Sequence, residues 1–278
     1  MDRRLKQVPG WASGLITVAT FGALLYMEFR RPLRKTVEPK LRRNARNLAV
    51  AALGAVTLRV AEQPLAGPLS ALVARRRWGL LQMARLPVWL EVAAAVLLMD
   101  YTLYWWHVAT HRIPWLWRFH AVHHVDLDLD ASTAIRFHFG ELAQSVSWRA
   151  AQVAILGVTP LSLSVWQTML LPFILFHHSN IRLSRQIETR LTRWIVTPRM
   201  HGIHHSTVRE ETDSNWSSGF TLWDRLHGTL KLGIPQEQIT IGVPAYQNPR
   251  NVTLPKIIAL PFGEQQPMWG PAASSYRA

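Results

Sequence analysis

The residues best placed to do chemistry in this chain are its histidines. There are 12, none before position 107 or after position 227, so they concentrate in the middle of the sequence. Nine of them fall into spaced sets: His107-x3-His111, His120-x2-His123-His124, His201-x2-His204-His205, and His178 within the run His177-His178-Ser179-Asn180. Residues three and four apart share one face of a helix. The pair therefore offers two imidazoles to one point, and each triplet offers three over about one turn. Nine nitrogens exceed a single octahedral shell of about six donors and suit two metal ions better than one; imidazole is a ligand for Fe, Zn, Cu and Ni.

What is missing narrows the chemistry. Cysteine is absent, which removes thiolate ligands, a catalytic thiol and disulfides. No glutamate is followed by histidine three residues later, so the Glu-x-x-His pairs of carboxylate-type di-iron bundles are not present. The His-Glu-x-x-His zinc-protease pattern is absent as well. Two other uses of clustered histidines remain: a membrane metal transporter and a zinc-dependent lipid hydrolase. A catalytic zinc needs only three protein ligands, and a transporter needs ligands lining a path through its spans, whereas these clusters sit beside span ends.

The elements that must position the clusters are apolar helices. Hydrophobic residues make up 49% of the chain and charged residues 17%, against about 25% charged in soluble domains. Residues 11–27 form an uncharged apolar run after Arg3, Arg4 and Lys6; with no small-residue cleavage site behind it, the run reads as a retained span. A shorter run covers 48–61. Residues 64–85, punctuated by Pro64, Gly67 and Pro68, read as an interfacial or re-entrant segment. A third span is expected over 86–106, and residues 142–176, with Gly157 and Pro160 near the middle, suit a helical hairpin of two short spans. The reading is all-α: a membrane bundle of about four to five spans with a cytosolic helical cap holding the histidines. Residues 1–250 form a single domain and 251–278 a loosely ordered tail.

The net charge of +14 does not point to nucleic acid. Its basic clusters (Arg30, Arg31, Arg34, Lys35, Lys40, Arg42, Arg43 and Arg46, then Arg75, Arg76 and Arg77) flank apolar spans, as topology signals and lipid-headgroup contacts do. Two spans separate the first cluster from His107, and the hairpin returns the chain to the same side. All histidine sets then face the cytoplasm, which in a bacterial member of the family named below would be the inner face of the inner membrane. Trp105, Trp106, Trp115 and Trp117 read as an interfacial belt.

Asp100, Tyr104, His107 and His111 fall at helical spacing on one face, which makes Asp100 a candidate partner for a ligating histidine, since ligands usually donate their second N–H to a carboxylate or carbonyl. Asn180 and Asp224 are further candidates, with Glu141 and Asp213 behind them.

Around these histidines the chain resembles the fatty acid hydroxylase, or sterol desaturase, superfamily of membrane di-iron enzymes, especially bacterial members. The likeness is carried by the three boxes and by Pro-Trp-Leu-Trp-Arg-Phe-His-Ala-Val-His-His from Pro114, Ala-Ile-Arg-Phe-His-Phe-Gly-Glu up to Glu141, Thr-Pro-Arg-Met-His-Gly-Ile-His-His-Ser from Thr197, Asp213-Ser214-Asn215-Trp216 and Trp223-Asp224-Arg225-Leu226. It covers about residues 95–232. It implies metal ligands at His107, His111, His120, His123, His124, His178, His201, His204 and His205, two iron ions, and hydroxylation or desaturation of a bilayer lipid with dioxygen as co-substrate. His138 and His177 are weaker ligand candidates, and His227 stands where relatives usually carry Phe and is expected at the surface. With no cytochrome-like haem domain in the sequence, electrons are expected from a separate ferredoxin, cytochrome or reductase.

Overall fold

The computed structural model describes residues 3–269 and contains no β-strand among them. Four segments are long and apolar enough to cross a membrane. The first is α1 (Gly10–Arg30). The second is a rod in which α2 (Lys40–Thr57) passes through a π-turn at Leu58–Glu62 into α3 (Gln63–Arg76), followed by the short α4 (Leu80–Met83). The third is α5 (Val88–Arg112). After α6 (Pro114–His124), α7 (Phe139–Leu156) leads through a three-residue turn into the fourth, α8 (Pro160–His178).

The prolines of 64–85 thus do not mark a re-entrant segment. Pro64 sits in the first turn of α3, where a missing N–H is tolerated, and the preceding π-turn takes up the change in backbone register. The hairpin over 142–176 is present, with α7 ended by Gly157 at φ 79°. A Cβ on Gly157 would lie 2.6 Å from the Trp78 carbonyl oxygen, and one on Gly79 2.4 Å from the Gly157 nitrogen. The two turns therefore touch backbone to backbone at the end of the bundle away from the histidines.

The opposite end carries the cap. Arg31 and Leu33 bond to Arg182 and Asn180 across the C-termini of α1 and α8. Glu28 of α1 accepts from the backbone N–H groups of Ala131 (2.8 Å) and Asn180 (2.9 Å). Basic residues at the start of α2 reach the loop after α6. Arg43 donates from Nε and Nη2 to the two oxygens of Asp126, both at 2.9 Å, and from Nη1 to Asp130 at 2.6 Å. Arg43 and Arg46 are buried, so these two are not headgroup contacts; Arg30, Arg31, Lys35 and Arg42 stay exposed. Asp128 accepts from the N–H groups of Val37 and Glu38.

The cap is completed by α9 (Arg185–Leu191), α10 (Pro198–His204), α11 (Arg209–Thr212), α12 (Leu222–Leu226) and α13 (Leu254–Ala259). The last of these lies in the expected tail. Val252, Ile257 and Met268 are buried against Val50 of α2 and Ala121, Val122 and Val125 at the end of α6. Apolar burial holds this stretch onto the back of the second histidine box. Residues 270–278 lie outside the described residues.

Candidate metal centre

Four helices bring the histidines together, with His178 supplied by the last turn of α8. His107 and His111 stand one turn apart at the cap end of α5, the second box lies on α6, and the third runs along α10 into its C-cap, His205. Their nitrogens form two groups, in each of which one ligand atom per residue lies within 4.8 Å of all the others: His107, His111, His120, His124 and His204 in one, His123, His178, His201 and His205 in the other. Each triplet is divided. A helix turns about 100° per residue, so residues i and i+4 stay on one face while their neighbour points elsewhere. His120 and His124 therefore serve the first group and His123 the second, while His201 and His205 serve the second and His204 the first. The groups are contiguous, with the rings of His124 and His205 stacked 4.2 Å apart.

Hydrogen bonds fix the tautomers of four rings. Nδ1–H of His107 donates to the Trp216 carbonyl (2.7 Å), that of His204 to the Ser214 carbonyl (2.8 Å), that of His178 to the Ile174 carbonyl (2.8 Å), and that of His120 to a Glu141 oxygen (2.8 Å). A neutral imidazole that donates from Nδ1 carries a lone pair on Nε2. In the second group the Nε2 atoms face one another: His178 Nε2 lies 3.0 Å from His123 Nε2 and 2.9 Å from His201 Nε2, and His201 Nε2 lies 3.1 Å from His205 Nε2. In the first group the buried Nε2 atoms of His111, His120, His124 and His204 have no hydrogen-bond partner.

Protonation cannot fill these positions at neutral pH. Burial, reinforced by the neighbouring imidazoles, holds His123, His124, His201 and His205 well below the usual histidine range, and burial takes His204 down to about 3 despite its bond to Ser214. Converging neutral imidazole nitrogens are a donor set for a metal cation.

A cleft opens from the histidines between α5, α6, α7 and α8. Counted together with its open mouth, it spans about 790 Å3 of space. His107, His120, His123, His178 and His201 form its inner wall, and Leu103, Trp106, Leu142, Trp148, Leu170 and Ile174 line the rest of it.

Other expected roles are redistributed. Asp100 touches no histidine: its Oδ2 accepts from the Trp223 indole (2.7 Å) and the Phe220 N–H (3.0 Å). Asp224 accepts from the N–H groups of Trp216 (2.8 Å) and Ser217 (3.1 Å). Both shape the loop whose Trp216 carbonyl takes the proton of His107, and so act one bond further out than expected. Asn180 holds the basic loop, exchanging bonds with the backbone of Arg34. The carboxylate that does meet a ligand candidate is Glu141, and Asp213 pairs with Arg112 at 3.3 Å instead.

His138 lies outside both groups. Its Nδ1 accepts from the Gly140 N–H, capping α7, and its Nε2 donates to the Ile258 carbonyl (3.2 Å). His177 is buried against His201, with ring centroids 4.1 Å apart, but joins neither group. His227 is half-buried and stacked on Tyr101 and Tyr104. Trp105 and Trp115 are exposed as belt residues should be, whereas Trp106 lines the cleft and Trp117 packs on His111 at 4.8 Å.

An all-helical membrane bundle closed at one end by a buried double cluster of imidazoles defines the class of protein. A family model for fatty acid hydroxylases matches residues 92–229, the segment that holds every member of both histidine groups. Among curated proteins the chain is similar to an ornithine lipid hydroxylase of Rhizobium tropici (31% identity over 52% of this chain and 43% of that one) and a cholesterol 25-hydroxylase-like protein of Danio rerio (30% over 51% and 56%). It is also similar to an alkylglycerol monooxygenase of Xenopus tropicalis (28% over 50% and 30%). The match spans about half the length of the first two of these relatives. No solved structure matches. The chain belongs to the fatty acid hydroxylase superfamily.

Proposed function

We propose that this protein is a membrane di-iron oxygenase that hydroxylates, or desaturates, a C–H bond of a bilayer lipid. One observation carries the reading: two adjoining sets of neutral, buried imidazoles stand at the head of a largely apolar cleft between membrane helices. His107, His111, His120, His124 and His204 would hold one iron ion, and His123, His178, His201 and His205 the other. Bound there, iron would supply the activation of dioxygen and the oxidation of the C–H bond, with electrons delivered by a separate donor protein.

The chain's own residues do the rest. Glu141 and the carbonyls of Ile174, Ser214 and Trp216 hold four imidazoles in the tautomer that presents Nε2, and such outer partners raise ligand basicity. Trp216, Trp117 and Phe137 pack on the histidine rings and keep bulk water from the site, which protects an oxidising centre from side reactions. The apolar cleft admits a lipid sideways from the bilayer, and the exposed Arg30, Arg31, Lys35 and Arg42 support a cytoplasmic position for the centre.

The test is oxygen consumption by the purified, iron-loaded protein with a reductant and membrane lipids, followed by mass analysis of the lipids. A gain of one oxygen atom, or a loss of two hydrogens, is the expected product. Turnover of lipid esters without oxygen uptake, with zinc in the protein, would instead assign a hydrolase.

A further inference from the structure

The cleft has a polar end as well as a metal end. Trp148 and Arg149 of α7 line it eight residues beyond Glu141, about 12 Å further along the helix at 1.5 Å per residue. Arg149 is held from several sides. Its Nη1 donates to Gln152 Oε1 (2.5 Å), and Gln152 is fixed in that sense because its own Nε2 donates to Thr102 Oγ1 (2.5 Å) and the Met99 carbonyl (3.3 Å). The guanidinium carbon lies 4.1 Å from the centroid of the Trp166 ring, a cation–π contact. The carboxylate of Glu62, delivered by the π-turn between α2 and α3, stands 3.8 Å from Nε, too far for a hydrogen bond.

Two donors at this end are left over. Arg149 Nε and Trp148 Nε1 are buried, and neither has an acceptor. A buried donor without a partner carries a desolvation penalty of about 1–3 kcal/mol, and a pair of them on two residues that line one cleft calls for an acceptor that the protein does not supply. Glu62 already offsets the charge of Arg149, so an anion would leave this end of the cleft with a net negative charge inside the bilayer, at high cost. A neutral oxygen satisfies both donors without one.

We propose that Trp148 and Arg149 form the specificity subsite of the cleft, binding an uncharged hydroxyl or carbonyl group of the lipid substrate. Resting on the oxygenase reading for its reacting end, the proposal adds that the substrate reaches from the level of Glu141 to that of Arg149, an axial offset of about 12 Å along α7. Substrates are then lipids with one neutral oxygen function at a set distance from the reacting carbon, and plain hydrocarbons bind poorly.

Equilibrium binding to the purified protein in nanodiscs tests this without turnover, using tritiated 1-hexadecanol, hexadecane and hexadecanoate as probes. Wild type is expected to bind hexadecanol at least about tenfold more tightly than hexadecane, the equivalent of about 1.4 kcal/mol, and more tightly than hexadecanoate. Trp148→Phe, which removes only the indole N–H, should cut the hexadecanol preference severalfold and leave hexadecane binding unchanged. The charge-neutral double variant Arg149→Met with Glu62→Gln should abolish the preference. Equal affinity for hexadecanol and hexadecane in wild type, an unchanged preference in both variants, or a preference for hexadecanoate would overturn the proposal. Each of those results would leave the iron and oxygen-uptake tests of the oxygenase reading untouched.

Discussion

Two buried polar regions lie side by side in this protein and are built on opposite principles. In the network behind α6, Arg43, Arg46 and Arg136 face Asp126, Asp130 and Glu38, and the charges balance. Both oxygens of Asp126 are saturated, taking bonds from Arg43, Asn47 and Thr133 as well as the ion pair to Arg136. In the histidine groups the outer nitrogens of His107, His120, His178 and His204 are satisfied and the inner ones are left open. A buried polar cluster whose carboxylates are saturated by its own cations joins elements together. One whose nitrogens converge without partners waits for a ligand.

The contrast can be broken from either side. The largest effect is expected from Asp126→Ala, which leaves three buried arginines without their shared partner. Losing one member of a buried ion pair costs about 3–5 kcal/mol, so little folded protein should survive, with or without metal. Recovery of normal amounts of monodisperse protein would show that the network is dispensable.

His204→Ala and His123→Ala, one from each group, should instead leave a folded protein that has lost metal and oxygen uptake. Metal analysis beside size-exclusion chromatography separates the two behaviours, and wild-type turnover in either variant would remove that residue from the centre. Glu141→Gln keeps the fold and all nine imidazoles but weakens the hold on His120. A fall of about 10–100-fold in metal affinity or activity is expected for an outer partner of this kind, measured by competition with a chelator.

Acid separates the regions again. Below about pH 6.5 an unfolded chain protonates its histidines, while His123, His124, His201, His204 and His205 stay neutral in the fold because their affinities for protons are depressed. The unfolded state then binds more protons, so stability falls as pH falls. Burial opposes ionisation of Asp126, but Arg43, Arg136 and Arg46 outweigh it and hold the carboxyl well below its usual range. Its stability is therefore lost only below about pH 4. Thermal unfolding of metal-stripped protein should show a first decline between pH 7 and 5 and a second below 4; a flat profile from 7 to 5 would contradict the histidine assignment. The smallest effect is expected at His227→Ala, which removes a ring stacked on tyrosines and should leave metal content unchanged.

Much of this was legible in the residues. The histidine spacing predicted helices that present imidazoles in sets, and apolar runs predicted α1, α5 and the α7–α8 hairpin. The split of each triplet between two groups was not legible, because it depends on how α5, α6 and α10 pack. Nor was the burial of Arg43, whose partners Asp126 and Asp130 lie 83 and 87 residues away in sequence. A signal did exist: Asp126, Asp128 and Asp130 alternate directly after the second box in a chain with only 17 acidic residues, and three carboxylates so placed demand cations. The prolines within α3 and the polar composition after 250 misled for one reason. Local propensity is a weak prior when tertiary contacts are available, and those segments gain the flank of α7 and the surface of α6.

The most direct test of the central claim is anomalous X-ray scattering at the iron edge from crystals of iron-loaded protein. Two iron peaks are predicted, one among His107, His111, His120, His124 and His204 and one among His123, His178, His201 and His205. A single peak, or iron bound away from either group, would contradict the account.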